Sequence, residues 1–356
     1  MGTLYIIGAG CSRNYDQSET RVQGLLPPLN SDFFAMAKKI VDQNPRVLGY
    51  GMMGLHHLIR DLNRVYGYGD SDDDTTVLGD PRLTLEGVMM FYSLRHQLLD
   101  RNPFFDRDNR SSTLNDLIAL TLAESLKGPL CPKHAKLASL MQPGDMVFNF
   151  NYDILMDNAL YQSGRLTDSG YRMRFDYTHS DGEWAETRHK DSDVSLLKLH
   201  GSLNWLRCTT CGRNLLLRGA KTVQQQWEDI RAIPVSCPRC KDEGRLNLRR
   251  VLIPPTGIKN YSDPDIRYLW MEAAAPASEI GGVVAIGYQF ADLDHEVEML
   301  LRTLVVSEAM RRDVPVSIVN KSPEHAQGRL QSIFPKSEMK VWRSLDSFLG
   351  GEPSAP

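Results

Sequence analysis

No stretch of this chain approaches the roughly 18 consecutive apolar residues of a membrane-spanning helix. No basic region precedes the early apolar run of Leu4, Tyr5, Ile6 and Ile7, so neither a membrane span nor a signal peptide is expected. Charge of one sign is missing too: 41 Lys and Arg face 44 Asp and Glu, for a net charge of −3. That balance argues against a general nucleic-acid binder, although it leaves room for a local basic patch. No internal repeat is present. Cysteine is sparse, at six among 356 residues, and four of the six fall in two C-x-x-C pairs. Without a secretion signal, that pattern favours reduced thiols around a metal over disulfides, and a cytoplasmic protein is expected.

What the chain does have is alternation. TLYIIGAGCSR at residues 3–13 reads as a buried strand running into a glycine turn. GVVAIGYQF (282–290), VPVSIVN (314–320) and Met339 to Trp342 read as further strands, separated by amphipathic helical stretches at 292–312 and from Pro323 onward. Strand–helix–strand alternation predicts an α/β protein with a mostly parallel, doubly wound, Rossmann-like sheet. Its strands run from the first residues to the last, so the rest must be inserted. The expected division is a discontinuous sheet domain (1–30, 142–206 and 251–350), a helical module at 31–141, a metal module at 207–250 and a tail at 351–356. The acidic loop Gly69 to Asp74 reads as solvated and mobile, and Tyr171 to Tyr177 as a small hairpin.

Four motifs carry candidate chemistry. In GAGCS, Gly8 and Gly10 allow a tight turn and close approach to a phosphate, with Ser12 offering a hydroxyl; a plain strand-to-helix turn explains them as well. Arg13 occupies the place where a strict dinucleotide fingerprint needs a third small residue. In MVFNFNYD (146–153), two amides and a carboxylate stand at a strand end, suited either to orient a polar ligand or, for Asp153, to cap the next helix. In LHGS (199–202), His200 follows a short apolar strand, where an open α/β sheet places its ligands. Cys208, Cys211, Cys237 and Cys240 supply four thiolates, a filled tetrahedral set suited to a structural zinc ion. The segment 207–250 holds ten Lys and Arg against four Asp and Glu, so nucleic-acid contact there is conceivable but a solvated surface accounts for it equally. His56, His57, His96 and His134 read as surface or packing histidines. Cys131 with His134, and His57 with Asp61, have ligand spacing but no second pair nearby.

Taken in order, GAGCS, NYD (151–153), LHGS, the two C-x-x-C pairs, AIGYQ (285–289) and VN (319–320) resemble the successive motifs of the sirtuin superfamily across nearly the whole chain. That resemblance implies a Rossmann-type domain, a small domain of helical and zinc modules, and NAD between them. By motif position Gly8, Ala9, Gly10 and Ser12 would hold the pyrophosphate, and Gly287 and Asn320 the adenosine half. Asn151 would reach the nicotinamide ribose, Asp153 the carboxamide side, and His200 would be the general base.

The departures bear on the reaction. The run NYDQSETRVQGLLPPLNSDFF lacks the aspartate–phenylalanine–arginine stretch with which deacylating sirtuins close over nicotinamide, and Phe150 stands where they carry glutamine. VLIPPTGIKNY (251–261) replaces the strand that pairs with their acyl-lysine peptide, and two prolines remove backbone donors there. This pattern resembles the sirtuin-like NAD hydrolases of prokaryotic anti-phage defence, which split NAD to nicotinamide and ADP-ribose. An NAD-dependent protein deacylase and a non-catalytic NAD or ADP-ribose sensor are the alternatives. A depleting hydrolase must be restrained, so a homo-oligomer or a controlling partner protein is expected.

Overall fold

The structure, a computed structural model, describes residues 1–43, 53–71, 74–99, 110–180, 183–187, 190–218, 237–240, 248–253, 264–276, 279–291 and 294–351. In chain order the first strands are β1 (Gly2–Ile7), β2 (Met146–Asn149), β3 (Tyr177–Ser180), β4 (Glu183–Glu186) and β5 (Ser195–Lys198). They are followed by β6 (Gly201–Cys208), β7 (Asn214–Leu217), β8 (Leu248–Leu252), β9 (Ile280–Ile286), β10 (Val316–Val319) and β11 (Met339–Trp342). None of the described helices is long and apolar enough to cross a membrane.

Six strands form one sheet in the order β11-β10-β9-β1-β2-β5, and every pairing in it is parallel. The expected Rossmann-like α/β sheet is therefore present. The residues explain it: β2 and β5 are buried along their whole length, as are Leu4 to Ile7 of β1. Strands covered on both faces read as continuous apolar runs. The register pairs Ile7 with Asn149 and with Ile286, Asn149 with Lys198, Ile286 with Val319, and Val319 with Trp342. All six strands consequently finish at one level, and the residues just beyond them share one edge of the sheet. From central β1 the chain winds to β2 and β5, then returns to β9 on the other side. That reversal is the switch point where open α/β sheets bind ligands.

The second sheet is mixed, in the order β4-β3-β7-β6-β8, with only β3 and β7 parallel. Its strand β6 begins one turn after β5. The hairpin expected at 171–177 lies further on, as β3 paired with β4. Asp168–Tyr171 is instead a single 3₁₀ turn, because Tyr171 is fully buried with its hydroxyl on Asp157.

The described residues divide into two compact units. One comprises residues 1–17, 129–253 and the chain from 264 onward, and the other 18–128. The helix Pro132–Leu140 belongs to the sheet unit, where it packs on the helix Leu155–Gln162. The unit 18–128 is built from the helices Phe33–Gln43, Met53–Tyr66, Leu85–Leu99 and Arg110–Ser125. The described ends of its acidic loop are anchored. Buried Asn63 donates to the carbonyls of Ser71 and Asp74 at 2.7 and 2.9 Å, Arg64 grips Asp70 with two bonds, and Asp74 caps the turn Thr75–Gly79. Asp72 and Asp73 lie outside the described residues, as do the prolines at 254 and 255 and the tail at 352–356.

Candidate functional site

Beyond the strand ends, the turns after β1, β2, β5, β9 and β10 carry every sheet residue singled out in the sequence. The turn after β1 is closed by backbone contact. Gly8 N–H donates to Ile286, Gly10 N–H to Gly287, and Cys11 N–H back to Gly8. A Cβ on Gly8 would stand 2.6 Å from the Gly287 carbonyl oxygen, and one on Gly287, whose φ is +61°, would stand 2.2 Å from Cys11 N. The glycines are thus needed so that two backbones can touch. Gly8 and Gly10, expected at the pyrophosphate, spend their amides on carbonyl partners, as Cys11 does, and Gly287, expected at the adenosine half, donates to Val319 O. Ala9 opens the short helix Ala9–Ser12 half-buried.

Ser12 is committed as well. Its hydroxyl donates to Asp153 Oδ2 at 2.6 Å and accepts from Asn151 Nδ2 at 2.8 Å, while the same nitrogen donates to Gly8 O at 3.0 Å. A carbonyl can only accept, which fixes the orientation of the Asn151 amide and leaves its Oδ1 with no hydrogen bond among the described residues. Asp153 serves both roles weighed for it. Oδ1 accepts from Leu155 N at 3.0 Å at the start of the helix Leu155–Gln162, and Oδ2 faces Ser12. Asn149 turns its Oδ1 to the amide of Asn151, and its buried Nδ2 has no partner among the described residues.

His200 occupies the two-residue turn between β5 and β6. Gly201 follows with φ +80°, and a Cβ there would come within 2.1 Å of Val251 O, so only glycine lets β6 start against β8. The imidazole is buried, 5.0 Å from the Phe150 ring and 6.5 Å from that of Tyr152, the residues either side of Asn151. Tyr288 stacks on Phe150 at 4.6 Å. On the β10 side, buried Asn320 donates to Tyr288 O at 3.4 Å and accepts from Gln289 at 3.0 Å. Asn320 therefore organises the turn after Gly287.

Beneath this edge lies a polar cluster that sequence reasoning missed. Lys198 Nζ, with no exposed surface, pairs with Asp157 Oδ2 at 3.0 Å and also donates to the Asp153 carbonyl. Tyr171 donates to Asp157 Oδ1 at 2.6 Å, Asn204 to Tyr171, and Ser202 to Asn204. A lysine inside the apolar run SLLKL was itself a readable signal, because a buried ammonium requires a buried partner. His134, too, is fully buried, with Cys11 Sγ 3.5 Å from Nε2 and Cys131 Sγ 3.0 Å from Nδ1. The two thiols lie on opposite sides of the ring, so His134 packs between them rather than sharing a metal with them.

The four remaining cysteines converge. All their sulfurs lie within 4.8 Å of one another, with Cys208–Cys240 and Cys211–Cys237 both at 3.8 Å. A disulfide would need about 2.05 Å. A tetrahedron of Zn–S bonds of about 2.3 Å has sulfur–sulfur edges near 3.8 Å, so the set fits a zinc ion. Burial raises the Cys208 thiol, but the backbone amides of Cys211 and Thr210 together with the Cys211 and Cys240 side chains bring it down to about 7. Burial instead pushes Cys237 up to about 11, and the hydrogen bond to the Cys211 side chain pushes Cys240 up to about 12. The basic surplus of this segment falls on the described residues Arg207, Arg213, Arg218, Arg239, Arg249 and Arg250, while its four acidic residues lie outside those described.

No protein-family model matches the chain, and no curated protein matches it in sequence.

Proposed function

We propose that this protein is a sirtuin-like NAD glycohydrolase that cleaves the nicotinamide–ribose bond, with a structural zinc ion on its four cysteines. The observation that carries the reading is the seating of the His200 imidazole against Phe150 and Tyr152, on either side of Asn151, beyond the ends of adjacent parallel strands.

The chemistry asks little more. The bond from C1′ to the pyridinium nitrogen breaks with its electron pair passing to nicotinamide, which leaves neutral and needs no general acid. Water forms the new C1′–O bond, and its proton passes to His200. A histidine base contributes roughly 10²–10⁴ in rate. The unspent Asn151 Oδ1 and Asn149 Nδ2 are an acceptor and a donor for ribose hydroxyls. Asp153, tied to Ser12 and to its helix, holds the Asn151 turn in place and adds negative charge near a developing oxocarbenium. The glycines act by bringing the β1 and β9 turns into contact. A role in depleting NAD during anti-phage defence, under the control of self-assembly or a partner protein, follows from the same reading.

The test is to incubate the purified protein with NAD alone and identify products. Nicotinamide and ADP-ribose are expected, lost in His200→Ala and Asn151→Ala. Undiminished cleavage by both variants overturns the reading. Turnover only with an acyl-lysine peptide identifies a deacylase, and binding without turnover identifies a sensor.

A further inference from the structure

The helix His295–Val306 opens at Asp294, a position where an aspartate ordinarily turns back onto the first amides of its own helix. This one makes no such cap. Its Oδ2 accepts from the Tyr288 hydroxyl at 2.6 Å, and its Oδ1 stands 4.0 Å from His200 Nε2. Both side chains are nearly buried, at 9% exposure for Asp294 and 5% for His200. Tyr288 is itself fixed by stacking on Phe150 and by an edge-on contact with Phe290. The carboxylate is therefore aimed by a tyrosine at the imidazole edge.

A separation of 4.0 Å is too long for a hydrogen bond, yet well within the range where opposite charges interact strongly in a poorly solvated place. One bridging water, or the small tightening that follows substrate binding, closes it. An aspartate behind a histidine base does two things: it selects the tautomer with hydrogen on the facing nitrogen, and it stabilises the imidazolium formed on proton uptake. In the sequence DLDHEV, Asp294 looks like any helix-opening residue, so only the fold discloses the pairing.

We propose that Asp294 is the positioning residue of His200, holding the Nε2–H tautomer and balancing the proton His200 receives, with Tyr288 aligning the carboxylate. The proposal rests on the assignment of His200 as the base.

The test uses the full chain labelled with ¹⁵N-histidine, with the His200 signals identified by their loss in His200→Gln. The wild-type protein should show His200 with hydrogen on Nε2, and Asp294→Asn should abolish that bias. With NAD as substrate, Asp294→Asn should lower kcat on the order of 10²-fold with KM little changed. Asp294→Glu should restore part of the loss, and Tyr288→Phe should give a smaller fall. Unchanged His200 nitrogen signals in Asp294→Asn overturn the proposal whether or not NAD is cleaved. Wild-type kcat in Asp294→Asn beside an inactive His200→Ala overturns the proposal while sparing the base assignment. Full activity in His200→Ala removes the base assignment itself, and the proposal with it. If Asp294→Asn fails to fold, Tyr288→Phe and Asp294→Glu are compared by the same two readouts.

Discussion

Lys198 and Asp157 form an ion pair at 3.0 Å in which neither side chain reaches water. The lysine ends β5, two residues before His200, and the aspartate lies in the helix that begins after Asp153. One charge pair therefore ties together the two turns that carry the candidate chemistry. Removing one partner leaves a charge stranded in the interior. Lys198→Ala is expected to cost about 3–5 kcal/mol, measured by urea unfolding. Replacing both partners, as Lys198→Met with Asp157→Leu, should cost less than the sum of the single changes.

Gly201→Ala is expected to destabilise the protein by about 1–3 kcal/mol, because a left-handed backbone must then carry a side chain pressed onto Val251 O. Gly212, also at positive φ but open to space, serves as the control, and Gly212→Ala should cost clearly less. Thermal melts of the two variants side by side check the ranking.

Acid should weaken the fold through His134. Burial, only partly opposed by the nearby Asp153 charge, pushes this histidine from 6.5 down to about 4. Above pH 6.5 the group is neutral in both states and costs nothing. As pH falls from 6.5 toward 4 the unfolded chain takes up the proton first, so stability is lost across that window, by roughly 3 kcal/mol at most. Stability measured by denaturant at pH 7, 6, 5 and 4.5 should decline less steeply in His134→Leu than in the wild type.

One zinc ion per chain is expected by elemental analysis, bound by Cys208, Cys211, Cys237 and Cys240. Chelation, or Cys237→Ser, should lower the melting temperature by several degrees. Release should become easier as pH falls, because the ligands are thiolates and protons compete for them. The cysteines flank the ends of β6 and β7 and precede β8, so loss of metal should loosen the second sheet first.

The parallel sheet was readable because a strand buried on both faces leaves an apolar run, as in TLYII and VVAI, whatever lies around it. The metal set was readable because thiolate spacing survives folding. The pairing of His200 with Asp294 was not, since the two meet only when β9 lies beside β1 and its following helix turns back. The backbone contact made by the glycines was not legible for a related reason. A glycine that admits a ligand and a glycine that admits another backbone look alike in sequence, and only the contact of Gly8 and Gly10 with Gly287 separates them. Ser12 is similar: its hydroxyl was available on paper, but Asp153 takes it.

The level at which the strands finish has a temporal consequence. Ser12 must wait for Asn151 and Asp153, and His200 for Tyr288 and Asp294, before their side chains meet. A chain still emerging from the ribosome therefore carries an incomplete centre until Tyr288 and Asp294 have been translated. On the proposed reading, cleavage of NAD would stay switched off until that stretch has folded beside β1.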